Sequence, residues 1–319
     1  MKKIKVYIIT YKRNKALNEL LENIFSSNIS GCDLEVNIIN NHSEFLMKDK
    51  FKRQGPTQVR VHHNECRVDW SNGNLAADYN FALIDGFRDL ENPDCNYVIT
   101  LQNDAVLNKN WCECMLNQFK KYDFIVGYLG DNIVGYTPEI VKSVGLWDEN
   151  FGGVANKCAD YYFRGLLYHD KEKIQINDIL HRRLVNYDHE LELDVINDRG
   201  FIINEQNTSR LPDDEEHKKI REEENPYRAQ QTHYFLWKWE GTRPDIERKG
   251  NWNEHGYLLN WPQDIKENNP TEPKQIQFVK YPYFEKGVTD IQNKGYITDG
   301  KLVSKHNTEY TIKEIKGIK

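Results

Sequence analysis

The stretch Tyr97-Val-Ile-Thr-Leu-Gln-Asn-Asp-Ala-Val-Leu107 is an apolar run that stops at Asp104 and leads into a helix-like segment, residues 110–120. In an open α/β domain ligands bind outside the carboxyl ends of strands. An acidic residue there, preceded by the amides Gln102 and Asn103, is well placed to hold a divalent cation. Such a placement points to chemistry on a phosphate-bearing substrate.

Outward from this strand the pattern alternates. Residues 4–9 read as a first buried strand, and Leu17, Leu20, Leu21 and Ile24 fall at helical spacing on one face of the next segment. Residues 34–39 form a second strand that ends in Asn40-Asn-His-Ser43, and residues 59–62 a third. Asn72-Gly-Asn-Leu-Ala-Ala-Asp-Tyr-Asn80 opens a helix in which Leu75, Tyr79 and Ala82 share a face. Strand 97–101, helix 110–120 and strand 124–129 follow. This alternation predicts an α/β fold, with a mostly parallel, Rossmann-like sheet flanked by helices on both faces, over residues 1–195.

The texture changes from residue 196 to 319. Asp213-Asp-Glu-Glu-His-Lys-Lys-Ile-Arg-Glu-Glu-Glu224 reads as a solvated helix. Tyr234-Phe-Leu-Trp-Lys-Trp239 packs four aromatics into six positions, and the remainder is rich in Asn, Pro, Trp and Tyr but weakly periodic. An irregular C-terminal extension packed on the main domain is expected.

Composition excludes some function classes. The 319 residues are 39% hydrophobic and 29% charged, with a formal net charge of −6. There is no general basic field to attract nucleic acid, so no such partner is expected. No window approaches the ~18 apolar residues of a membrane span, and the apolar start at Val6–Ile9 is too short for a signal peptide. A cytoplasmic location without a transmembrane segment is expected. The six cysteines (Cys32, Cys66, Cys95, Cys112, Cys114, Cys158) lack a metal-ligand spacing and read as buried or unreactive thiols in a reducing compartment.

Four segments together resemble the inverting family 2 glycosyltransferases of the GT-A fold. They are Ile8-Ile-Thr-Tyr-Lys-Arg-Asn14, Val36-Asn-Ile-Ile-Asn-Asn-His-Ser43, Asn72-Gly-Asn-Leu-Ala-Ala-Asp-Tyr-Asn80 and Leu101-Gln-Asn-Asp104. The last is similar to that family's DxD position. Further on, Val144-Gly-Leu-Trp-Asp-Glu-Asn-Phe151 is similar to a Gly-x-x-Asp-Glu-x-Phe stretch, and Asp160 stands four residues before Arg164 as in a Glu-Asp-x-Asp-x-x-x-Arg segment. The Tyr234–Trp239 cluster resembles a segment that follows the catalytic domain in many members.

The resemblance implies a metal-assisted transfer, with inversion, from a nucleotide-sugar donor (a UDP-sugar as first choice) to a hydroxyl of a glycan-type acceptor. It implies Asp104 as ligand to Mn²⁺ or Mg²⁺, the alternative being an ordinary cap or turn residue. Thr10, Tyr11, Arg13 and Asn40, with Asn72, Asn80, Gln102 and Asn103, are expected around the donor. Asn40 stands where the family has a base-reading Asp; an amide can still donate and accept, and Asn at a strand end is also a common turn residue. The general base is expected at Asp160, with Asp148 and Glu149 as competitors, because Lys157 and Cys158 replace the preceding carboxylates. Against catalysis by Asp160 stands simple charge stabilisation of a helix. Arg164 is read either as a phosphate or acceptor contact or as a solvated helix residue, and His181, His189 and His233 as remote metal-ligand candidates. Gln102, Asn40 and Lys157 also leave open a catalytically silent GT-A domain that binds nucleotide or glycan.

Overall fold

The computed structural model describes residues 1–29, 31–51, 59–64, 74–127, 132–148, 155–177, 194–196, 214–220, 222, 297–298 and 301–302. Its first half is built from β1 (Lys2–Thr10), α1 (Asn14–Ser26), β2 (Cys32–Asn40), β3 (Val59–His63), α2 (Asn74–Phe87) and β4 (Tyr97–Gln102). Next come α3 (Trp111–Gln118), β5 (Phe124–Val126), β6 (Ile133–Tyr136), α4 (Pro138–Val144), α5 (Ala155–Tyr168), β7 (Ile174–Asn177) and β8 (Asp194–Ile196). A separate two-stranded ladder pairs β9 (Ile297–Thr298) with β10 (Lys301–Leu302).

The main sheet has eight strands in the order β3-β2-β1-β4-β6-β5-β7-β8. All pairs are parallel except those of β6, which runs antiparallel to both β4 and β5. The expected mostly parallel α/β sheet is therefore present. β6, β7 and β8 are additions to the expected strands, and β5 ends at Val126, short of the expected 124–129, of which residues 128 and 129 lie outside the described ones.

Helices pack on both faces of the sheet, so its central strands are mostly apolar, and the polar residues in them, Lys5, Asn37 and Thr100, are buried as well. In β1, Ile4, Val6 and Ile8 point into a cluster with Leu17, Leu20, Leu21 and Ile24 of α1 and Trp111 and Met115 of α3. Tyr7 and Ile9 point the other way, into a cluster with Leu75, Tyr79 and Leu83 of α2, Val141 of α4 and Tyr161 of α5. The period-two alternation of β1 thus feeds two cores rather than one core and solvent. The helical faces expected at Leu17/Leu20/Leu21/Ile24 and at Leu75/Tyr79/Ala82 are buried.

This winding places a crevice. β1 leads through α1 to β2 on one side, while β4, reached after α2 on the opposite face, lies on the other side of β1. The carboxyl ends of β1 and β4 are thus the topological switch point, where open α/β sheets bind ligands.

Of the 196–319 segment, residues 215–220 are helical, and Glu215, Glu216, Lys218 and Lys219 are exposed, in keeping with a solvated helix. Asp214, although exposed itself, and the half-buried His217 of the same run reach Arg13 at the switch point. The aromatic cluster 234–239, Asn72, Glu149 and the histidines at 181, 189 and 233 lie outside the described residues.

Candidate functional site

The turn after β1 is unusual: Lys12 and Arg13 both have positive φ (54° and 49°), a region that side-chain-bearing residues seldom occupy. This left-handed pair folds the Arg13 side chain back over the end of β4. Arg13 is almost fully buried there. Its Nη1 donates to Asp104 Oδ2 at 3.1 Å and to His217 Nδ1 at 2.8 Å, while Nη2 donates to Asp214 Oδ2 at 3.2 Å. A guanidinium only donates, so the His217 Nδ1 that faces it carries a lone pair. Arg13 Nε is buried and has no hydrogen-bond partner among the described residues.

Asp104 is held from a second direction. Asn132, at the entrance to β6, donates to its Oδ1 at 3.4 Å, and His217 Nδ1 stands 3.9 Å from its Oδ2. The antiparallel β6 matters here, because it brings a strand's amino end to the edge formed by the carboxyl ends of β1 and β4. The Asn132 carbonyl also accepts from the Gln102 amide at 3.0 Å.

Asp214 has two jobs on its two oxygens. Oδ1 accepts from the His217 backbone N–H at 2.8 Å and so caps the 215–220 helix, while Oδ2 faces Arg13. Partial burial works against the carboxylate's charge, but the His217 amide and the Arg13 guanidinium outweigh it and hold its pKa below the ordinary value.

Thr10 and Asn103 stitch the two strand ends together. Asn103 Nδ2 donates to Thr10 Oγ1 at 2.9 Å, Thr10 Oγ1 donates to the Lys12 carbonyl at 3.2 Å, and the Asn103 amide donates to the Ile9 carbonyl at 3.1 Å. Gln102 is half-buried beside them, and Tyr11 stands edge-on to His42 at 5.4 Å.

Asn40 turns its side chain onto its own loop. Its Nδ2 donates to the His42 carbonyl at 2.6 Å and to His63 Nδ1 at 3.1 Å, and its Oδ1 accepts from the His42 amide at 3.2 Å. Next to it Asn41 and Asn64 donate to the buried carboxylate of Asp78, at 2.6 and 3.0 Å. The end of β2 is thus braced to α2 by a buried polar network.

The remaining expected residues that are described, Asn80, Asp148 and Asp160, lie around Trp147 and the segment leading to it. Asn80 grips the Trp147 backbone with both ends of its amide, at 2.9 and 2.7 Å, and Asp148 follows directly and is buried. Asp160 is fully buried and accepts from Arg164 Nε at 2.9 Å; Arg164 Nη1 then reaches the carbonyls of Val144 and Leu146 at 3.0 and 2.8 Å. Lys157 is buried too, with Nζ 3.3 Å from Cys158 Sγ and 4.8 Å from the Tyr79 ring centre.

Sequence reading missed Asp214 and His217. Both sit in a charge run in which Glu215, Glu216, Lys218 and Lys219 are exposed, and the one available signal was their spacing, three residues apart.

Among the described residues no three carboxylate, imidazole or thiol groups already form a metal cage. The buried Asp104 carboxylate beside Arg13 nonetheless suits a hard divalent cation, and the imidazole nitrogen of His217 close by is a borderline donor that fits Mn²⁺ better than Mg²⁺. Asp104 and His217 are the residues that would hold Mn²⁺ or Mg²⁺ there.

Fold and site together define a doubly wound, mostly parallel α/β domain with a charged, buried cluster at its switch point. No family model matches the chain, and no curated protein sequence does. Solved structures resemble it at low identity. A mannosyltransferase, PcManGT from Pyrobaculum calidifontis in complex with GDP-Man and Mn²⁺, is 11% identical over 58% of this chain and 59% of its own, with a TM-score of 0.35. A putative nucleotide-diphospho-sugar transferase from Desulfovibrio desulfuricans G20 is 11% identical over 44% of this chain and 65% of its own, with a TM-score of 0.32. The 1–349 portion of S. aureus TarS is 13% identical over 98% of this chain and 99% of its own, with a TM-score of 0.43. The chain thus spans about three fifths of the first and under two thirds of the second. At these identities and scores, none of them decides which residues act. No described helix is long and apolar enough to cross a membrane.

Proposed function

We propose that this chain is a nucleotide-sugar-dependent glycosyltransferase that uses a divalent cation and transfers with inversion to a hydroxyl of a glycan-type acceptor. The observation that carries the reading is the Arg13–Asp104 pair at the switch point of β1 and β4. A nucleoside diphosphate leaving group needs positive charge where it departs, and this crevice offers both a guanidinium and a carboxylate able to anchor a cation. Residues 1–195 form the donor-binding and catalytic domain of this reading, and 196–319 an extension that returns Asp214 and His217 to it.

In this reading the cation supplies Lewis-acid neutralisation of the diphosphate, held by Asp104 with His217. Thr10 and Asn103 fix the strand ends that border the donor, and the braced β2 loop carrying Asn40 and Tyr11's neighbour His42 borders the base. Asp148 and Asp160 are the two candidates for the base that takes the acceptor's proton. Asp148 follows the Trp147 backbone that Asn80 anchors, whereas Asp160 is engaged with Arg164.

The engagement of Asp160 favours a second reading, a catalytically silent domain that binds nucleotide or glycan. Both readings are tested by titrating UDP, GDP, TDP and CMP, with and without Mn²⁺, into wild type and Asp104→Asn by calorimetry. Transfer predicts metal-dependent binding of one nucleotide, lost in Asp104→Asn, together with slow hydrolysis of the matching nucleotide-sugar that Asp148→Asn or Asp160→Asn abolishes. Binding with no turnover of any nucleotide-sugar supports the silent domain. Binding of none of the nucleotides refutes the donor-site reading.

A further inference from the structure

We propose that Arg13 is an exchangeable internal cation, which occupies the metal position at Asp104 while the site is empty and moves to the donor's diphosphate when a divalent ion binds. The proposal rests on the donor-site reading above and adds a mechanism that couples its two ligands.

The first support is where the guanidinium sits. Its Nη1 lies between Asp104 Oδ2 and His217 Nδ1, the two groups with which the site would hold a divalent ion. A divalent ion bound to both Oδ2 and Nδ1, which stand 3.9 Å apart, would take the place of Nη1, and Coulomb repulsion would add to the steric conflict, so the guanidinium has to move when the ion binds there.

The second support is the unfilled half of the guanidinium fork. Nε and Nη2 form one edge, the edge that receives two oxygens of a phosphate side by side. Asp214 engages only the Nη2 half, at 3.2 Å, and the buried Nε has no partner among the described residues. A buried N–H without an acceptor is costly, and a phosphate with two free oxygens satisfies both halves of the edge at once. Asp214 is thus a carboxylate standing in for half of a phosphate.

Thirdly, the stand-in is built to leave. Asp214 is 53% exposed, whereas Asp104 and Arg13 are each 3% exposed. It belongs to a segment far along the chain from both, and its other oxygen remains bound to its own helix. Release of Arg13 therefore opens the Nη2 contact without unfolding the 215–220 turn.

The test is Mn²⁺ binding without nucleotide, read from the electron paramagnetic resonance signal of the free ion, for wild type, Arg13→Met and Asp214→Asn. Removing the internal cation, or loosening its hold, should tighten Mn²⁺ about tenfold, while Arg13→Met weakens UDP about tenfold at saturating Mn²⁺. Mn²⁺ affinity that is unchanged or reduced in the variants overturns the exchange. Asp214→Asn decides the matter if Arg13→Met fails to fold, since Asp214 lies at the surface. A wild type that takes up neither Mn²⁺ nor UDP refutes the donor-site reading; tighter Mn²⁺ in the variants without UDP binding would then keep Arg13 as the occupant of the metal position and overturn its move to a diphosphate.

Discussion

Arg13 Nη1 and Asp104 Oδ2 meet at 3.1 Å with both side chains 3% exposed, so each is the main compensation for the other's burial. Removing one partner of a buried pair leaves an uncompensated charge. Asp104→Ala should cost about 3 kcal/mol, with Asp214 and His217 still partly supporting the guanidinium. The double change Arg13→Met with Asp104→Leu should recover most of that loss, because apolar replacement of a whole buried pair is close to neutral. Urea unfolding of the three variants measures it, and a double variant no more stable than Asp104→Ala would sink the argument.

Asp160 is the test of whether a sequence position has become structural. Its carboxylate holds Arg164, and Arg164 holds the carbonyls of Val144 and Leu146. Asp160→Asn should therefore lower stability by about 3 kcal/mol. A base that acts only on the acceptor would leave the unfolding midpoint in place and remove turnover alone, so both are measured on the same preparation.

The pH dependence of the Asp214 contact follows from its lowered pKa. A carboxylate whose folded value lies below its unfolded value stabilises fully above the unfolded value and loses that stabilisation as the pH falls through the folded one. The difference in melting temperature between wild type and Asp214→Asn should be constant above about pH 5 and should close below about pH 4. A gap that shrinks instead between neutral and mildly alkaline pH would assign the contact to another group.

Gly86, in α2, lies against β4. A Cβ there would overlap Val98 Cγ2, a branched side chain with little freedom to move. Overpacking of about 2–3 kcal/mol, the upper part of the usual range, outweighs the ~1 kcal/mol helix gain of alanine, so Gly86→Ala should be destabilised by about 1–2 kcal/mol. Nucleotide binding should be unchanged once the variant is folded, since no residue of the switch point is touched.

The first half of the fold was legible because its signals are redundant. The alternation of β1, the helical spacing of Leu17, Leu20, Leu21 and Ile24, and the apolar run up to Gln102 each point to the same winding. β6 was not legible: its four residues, Ile133-Val-Gly-Tyr136, contain a glycine and run straight into Thr137-Pro138, so they carry too little periodicity to stand out. Its antiparallel direction comes only from tertiary pairing with β4 and β5. At the site, the polar residues after β1 and β4 announced themselves by following strands. Asp214 and His217 did not, because hydrophobic periodicity cannot mark an inward face made of charged and polar side chains. Asn40 shows the limit from the other side, an amide at the expected position whose hydrogen bonds go to its own turn and to His63 of β3.

The cluster around Arg13 has an order of arrival. Asp104 lies 91 positions after it, and Asp214 and His217 lie 201 and 204 positions after it. At ribosomal speeds of roughly 5–20 residues per second, those last two partners emerge on the order of ten to forty seconds after Arg13. The nascent domain can therefore pair β1 with β4 and seat Arg13 on Asp104 while the cover from residues 214–217 is still being made. During that interval the Arg13–Asp104 pair has to hold without the Asp214 and His217 contacts that complete it in the finished chain.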